Sequence, residues 1–190
     1  MDRRARIRAE LESLSRLASQ TTGQAETLFA IAERYRATLA AGGTLFFAGN
    51  GGSAADAQHI AAEYVVRFQS TRPGLAAIAL TTDTSILTAA GNDFGFEQIF
   101  ARQVQALCRP GDLLVLQSTS GESDNLLAAA AAAHAKGVAV VAFLGKGGGR
   151  LAPLADLTFL VASDVTSRIQ EIQLVAQHII AGLLDEGTSA

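Results

Sequence analysis

Short, evenly apolar runs alternate along this chain with longer stretches of helical periodicity, a pattern that predicts an α/β fold built on a doubly wound parallel sheet. Three observations carry the prediction. Five runs, LFFAG (45–49), AAIAL (76–80), LLVLQS (113–118), VAVVAFL (138–144) and LTFLVA (157–162), are too short and too uniformly apolar for exposed helices and suit strands covered on both faces. Helix-like segments separate them. The composition, 49% hydrophobic with 18 Gly and only 3 Pro, favours a compact core over disorder, and 190 residues fit one domain, 1–190.

The elements follow in order. Over residues 1–42, Leu11, Leu14, Leu17, Leu28, Ile31, Tyr35 and Leu39 recur at helical spacing, which predicts two helices divided near Thr21–Gly23. Gly42–Gly43 stops the second helix before the first strand. Further helices are predicted over SAADAQHIAAEYVVRF (53–68), FEQIFARQVQAL (96–107) and SDNLLAAAAAAHAKG (123–137), the last stopping at Gly137. None is predicted over 81–95. The closing segment SRIQEIQLVAQHIIAGLLDE (167–186) carries Ile169, Ile172, Val175, Ile179 and Leu183 at helical spacing and reads as one long helix.

Charge and cysteine content bound the function. A net charge of −3 without a dense Lys/Arg run gives broad phosphate neutralisation little support, so no nucleic-acid partner is expected. The single cysteine, Cys108, cannot form an intrachain disulfide, and no apolar leader core follows the charged start, so the expected location is the cytoplasm. The alanine-rich run around 126–135 is interrupted by His134 and Lys136, so no membrane partner is expected.

Two loops follow predicted strands and open predicted helices, where open α/β sheets bind ligands. AGNGGSAADAQH offers Asn50, Gly51, Gly52 and Ser53, whose small side chains let backbone N–H groups approach an anion. QSTSGESDN gathers the hydroxyls of Ser118, Thr119, Ser120 and Ser123 around Gly121, the donors that a phosphate accepts. Either loop alone also reads as a tight turn with caps. Neither has Walker or dinucleotide spacing, so no nucleotide cofactor is implied. His59 and Glu63 are four apart and share a helix face, while Gln170 and His178, eight apart, also project to roughly one side. Together they could hold zinc, although a Gln carbonyl is a weak ligand. The alternatives are a surface ion pair for His59 and Glu63 and a capping or core role for His178.

Taken together, AGNGGSAADAQHIAAEYVVRF, LTTDTSILTAAGNDFGFEQIFARQV, STSGESDN and SRIQEIQLVAQHI resemble the phosphoheptose isomerase family over nearly the whole chain. The resemblance implies a flavodoxin-like SIS domain, a five-stranded parallel sheet flanked by helices, with the helices of 1–42 used in packing and in assembly as a homotetramer. It implies zinc as cofactor, held by His59, Glu63, Gln170 and His178. Substrate contacts are implied for Asn50, Gly51, Gly52, Glu63, Asn92, Asp93, Ser118, Thr119, Ser120, Ser123 and Gln170, with Arg67 nearby. Glu63 and His178 are the implied acid/base pair, acting on a sugar phosphate that feeds heptose synthesis for lipopolysaccharide. Two departures from the family pattern stand out. Gln173 replaces a frequent His, and Glu122 stands beside the phosphate loop, where a carboxylate repels phosphate unless it turns outward. Two other readings share the fold: a regulatory scaffold binding a replication initiator, and an isomerase of another phosphorylated ketose. The scaffold relative is altered at the positions of Glu63 and His178, both kept here.

Overall fold

The computed structural model describes residues 2–186. Two helices come first, α1 (Arg3–Thr21) and α2 (Ala25–Ala40), with a 3-10 turn over Thr22–Gln24 at the predicted division. Then follow β1 (Leu45–Gly49), α3 (Gly52–Val65), β2 (Ala77–Ala79), α4 (Thr84–Phe94), α5 (Ala101–Leu107), β3 (Leu113–Ser118), α6 (Asp124–Ala135), β4 (Ala139–Leu144), β5 (Leu157–Leu160) and α7 (Thr166–Asp185). A 3-10 segment, Lys146–Leu154, joins β4 to β5. All five strands lie where the apolar runs predict them and pair in parallel in the order β2-β1-β3-β4-β5.

The central strands β1, β3 and β4 bury both faces, which explains their unbroken hydrophobicity, while the edge strand β2 leaves Ile78 exposed. Leu45, Phe47, Leu113, Val115, Val141 and Phe143 belong to a core shared with Ile31, Tyr35, Ile60, Tyr64, Ile172 and Ile180 of α2, α3 and α7. The alternate residues Phe46, Ala48, Leu114, Leu116 and Val140 pack with Val104, Leu126, Ala129 and Ala133 of α5 and α6. Each fully buried Leu or Phe contributes roughly 1.5–3 kcal/mol by leaving water.

One helix departs from the sequence expectation. Over 81–95, where none is predicted, α4 forms, started by the Asp83 carboxylate accepting from Ile86 N at 2.9 Å and stopped by Gly95 at φ 90°. The threonines and the GND sequence obscure its periodicity. The predicted helix over 96–107 divides instead into a 3-10 turn, Phe96–Gln98, and α5.

Behind the sheet edge, Arg72 and Asp185 form a buried ion pair, 0% and 3% exposed at their side chains, with Arg72 Nε donating to Asp185 Oδ1 at 2.7 Å. Arg72 also donates to the Glu63 and Tyr64 carbonyls at 2.8 and 2.9 Å, and Asp185 accepts from the Gln69 and Ser70 backbone. The pair thereby fastens the C-terminal end of α3 to that of α7. Burial works to raise the Asp185 carboxyl, but the hydrogen bonds from Ser70 N, Arg72 and Gln69 N prevail and hold it below its ordinary value.

Candidate active site

In this strand order, β1 has β2 on one side and β3 on the other, so the chain leaves β1 and β3 in diverging directions and opens a crevice at their C-terminal ends. The two loops singled out in the sequence flank it. Asn50, Ser53, Ser118, Thr119, Ser120 and Ser123 line a cleft of about 80 Å³ there. Gln117 and Gln170 complete the lining, so every residue around the cleft has a polar side chain. The N-termini of α3 and α6 open beside it and favour an anion.

The serine loop is held by contacts within the chain. Ser118 Oγ accepts from Gly121 N at 2.9 Å and Ser120 Oγ from Glu122 N at 3.2 Å. These hydroxyls close the turn, as the capping reading requires, and each keeps its own proton for a ligand. Gly121 has φ +68°, and a Cβ there would fall on the Gly148 carbonyl, so only glycine lets the 146–154 segment close over the loop. Leu151 N donates to the Gly121 carbonyl at 3.0 Å. Across the crevice, Asn50 and Asn125 exchange two amide hydrogen bonds, both 2.8 Å. The Asn50 side chain is therefore engaged with Asn125 even though it borders the cleft.

The two departures from the family pattern find partners. Glu122 turns outward and accepts from Arg150 at Nε (2.6 Å) and at the backbone N (3.0 Å), while Arg150 Nη2 also donates to Asp124 at 2.9 Å. The hydrogen bond from the Arg150 side chain, followed by that from its backbone, lowers the Glu122 carboxyl from its ordinary value. Gln173, fully buried, donates to the Ser118 carbonyl at 3.3 Å.

Further along α3 and α7, His59, Glu63 and His178 meet, with one ligand atom from each within 4.8 Å of the others. His59 Nε2 lies 2.9 Å from His178 Nε2 and 3.5 Å from the nearer Glu63 oxygen. Phe68 stacks on the His178 ring with centroids 5.4 Å apart. Asp56, one turn before His59, faces the two imidazoles; burial raises its carboxyl, against the pull of His59 and His178. Two imidazoles and a carboxylate match the donor set of a catalytic zinc centre with an open position, so these residues fit the metal by their chemistry.

Of the residues named in the sequence, Ser118, Thr119, Ser120, Ser123, Asn50 and Gln170 border one cleft, and His59, Glu63 and His178 form one cluster. Gly51, at φ 57°, and Gly52 make the turn into α3, where a Cβ on Gly52 would lie 2.6 Å from Gln170 Nε2. Gln170 sits at the cleft, about 12 Å along α7 from His178 at the usual helical rise. Asn92 and Asp93 occupy the exposed last turn of α4, hydrogen-bonded to each other at 2.8 Å and outside the cleft lining. Arg67 is exposed just beyond α3. Sequence reasoning missed Gln117, Asn125, Arg72, Arg150 and Asp185. Asn125 closes the quoted STSGESDN run, and a polar residue ending the apolar run LLVLQS is the signal for Gln117.

Comparison with known proteins adds a family. The SIS domain model matches residues 11–145. A phosphoheptose isomerase of Burkholderia pseudomallei (strain 1710b) is 55% identical over 84% of this chain and 81% of its own length. One from Nitratidesulfovibrio vulgaris (strain Hildenborough) is 50% identical over 96% of this chain and 88% of its own. Among solved structures, a phosphoheptose isomerase from Francisella tularensis superposes with a TM-score of 0.95 at 35% identity, covering 98% of this chain and all of that one.

Proposed function

We propose that this chain, which belongs to the SIS-domain family of phosphoheptose isomerases, interconverts sedoheptulose 7-phosphate and D-glycero-D-manno-heptose 7-phosphate. The observation that carries the reading is the pairing of an all-polar, hydroxyl-lined cleft with an acid/base cluster further along α3 and α7, the two helices that lend Ser53 and Gln170 to the cleft lining. The first suits a phosphate and the second a proton transfer.

In this reading the hydroxyls of Ser118, Thr119, Ser120 and Ser123 donate to the phosphate, aided by the N-termini of α3 and α6. The Glu63 carboxylate takes the proton from C1 of the ketose while O2 takes one from His178, leaving a neutral enediol. The O1 proton then passes to His178 as the C1 carbonyl forms, and Glu63 returns its proton to C2, so both side chains end as they began. Zinc held by His59, Glu63 and His178, with Gln170 as the fourth donor, would supply Lewis-acid polarisation of the sugar oxygens. Asn92 and Asp93, exposed and outside the cleft, are available to a neighbouring chain's site in a homotetramer. Among the described residues no helix is long and apolar enough to cross a membrane. This accords with a cytoplasmic role in heptose synthesis for lipopolysaccharide.

The test is an assay of the purified protein with sedoheptulose 7-phosphate, with and without a chelator, following the aldose phosphate. Chelator-sensitive turnover restored by zinc is expected. No turnover with zinc supplied would overturn the proposal.

A further inference from the structure

Gln117 is the penultimate residue of β3, wholly buried, beside Gly49 of β1 and Phe143 of β4 in the sheet register. It lines the polar cleft with Ser53, Ser118 and Gln170, yet neither its Oε1 nor its Nε2 has a hydrogen-bond partner among the described residues. The other buried glutamines each find at least one. Gln103 donates to the Leu80 and Ile99 carbonyls, Gln173 to the Ser118 carbonyl, and Gln177 accepts from Tyr35. A buried amide with both ends open bears its whole desolvation cost, and native proteins tolerate that chiefly where a function uses the group.

The chemistry of the amide says which ligand group completes it. Nε2 only donates and Oε1 only accepts, so one group that satisfies both must itself accept and donate. A phosphate dianion meets the first need and repels the second. A hydroxyl meets both. With the phosphate on the adjoining serine loop, the nearest hydroxyl is the one on the carbon next to the phosphate ester. In six-carbon sugar phosphates closed into rings, that oxygen is the ring oxygen and can only accept. In seven-carbon 7-phosphates closed through O5, the furanose of the ketose and the pyranose of the aldose, the C6 hydroxyl is left free to do both.

We propose that Gln117 is a specificity-determining residue whose amide reads the sugar hydroxyl adjacent to the phosphate ester, selecting seven-carbon from ring-closed six-carbon sugar phosphates. The inference rests on the sugar-phosphate reading of the cleft given above.

The experiment compares the native protein with Gln117→Met, similar in length and without a polar amide, by calorimetric titration with sedoheptulose 7-phosphate, fructose 6-phosphate and inorganic phosphate. The variant is expected to lose about tenfold in affinity for the seven-carbon ligand while the other two change less than about twofold. Its ligand-free unfolding temperature is expected not to fall. Equal losses for all three ligands, no loss for any, or a fall of several degrees in unfolding temperature would each overturn the assignment. A native protein that binds none of the sugar phosphates would overturn the underlying reading and this inference with it. If the variant does not fold, the native protein is titrated with 6-deoxysedoheptulose 7-phosphate: about tenfold weaker binding than the parent sugar supports the assignment, and equal binding overturns it.

Discussion

The serine loop, between β3 and α6, and the His59–Glu63–His178 cluster, on α3 and α7, are held by opposite means. The loop is fixed at short range, by its own hydroxyls, by the glycine contact with the 146–154 segment and by the Asn50–Asn125 pair. The cluster has no such local fastening in the hydrogen bonds described for it; its groups meet because α3 and α7 are clamped behind it by Arg72 and Asp185. Anion binding therefore depends on the loop's own hydrogen bonds and close contacts, and proton transfer on helix packing. Disturbance of one should leave the other largely intact.

Several substitutions probe that separation. The largest effect belongs to Glu63→Gln, for which turnover should fall about 10²–10⁴-fold while the affinity for sugar phosphate changes little. A parallel loss of affinity, read by titration, would join the two regions again. Next is the clamp. Asp185→Asn leaves Arg72 buried without its counter-charge, and urea unfolding should show a loss of about 3–5 kcal/mol.

Acid sharpens the same point. Because the Asp185 carboxyl is held below its ordinary value, the unfolded chain takes up the proton first as pH falls. The stability from this group is thus present above about pH 4 and lost as pH falls through the lower, folded value. Arg72→Met should flatten that part of the curve in urea titrations between neutral and acid pH. An unchanged acid slope would remove Arg72 from the account and leave the Ser70 and Gln69 backbone bonds to hold the Asp185 carboxyl down.

Smaller effects follow at the loop. Gly121→Ala forces a side chain into a left-handed turn against Gly148 and should cost roughly 1–3 kcal/mol of stability, with phosphate affinity falling and the His–Glu cluster's metal affinity unchanged. The smallest belongs to Arg150→Ala. The Glu122–Arg150 pair is half exposed, so freeing the carboxylate should weaken phosphate binding by no more than about threefold, and high salt should remove the difference.

The central strands were legible because burial on both faces leaves an unmistakable apolar run, and the loops because glycine and hydroxyl side chains crowd at strand ends. Helix α4 was not, since its periodicity is masked by threonines and a GND sequence that reads as a turn. The cluster could be read from i,i+4 spacing on one helix, but its convergence with His178 required the packing of α3 on α7. What escaped reading are partnerships between distant positions. Asn50 meets Asn125 across 75 residues and Arg72 meets Asp185 across 113, and no local pattern encodes either. Glu122 shows the same limit in reverse: an unfavourable charge beside the loop becomes acceptable through Arg150, 28 residues on.

The reciprocal amide pair between Asn50 and Asn125 has a kinetic consequence. Two bonds of equal length tie the turn after β1 to the first turn of α6, so neither can breathe without releasing the other. Backbone protons of Ala54 and Ala55, bonded to the Gly51 carbonyl, and of Gly121 and Glu122 should accordingly trade for deuterium through one shared opening event. A crevice built this way admits its ligand through its mouth, with its walls moving as one body.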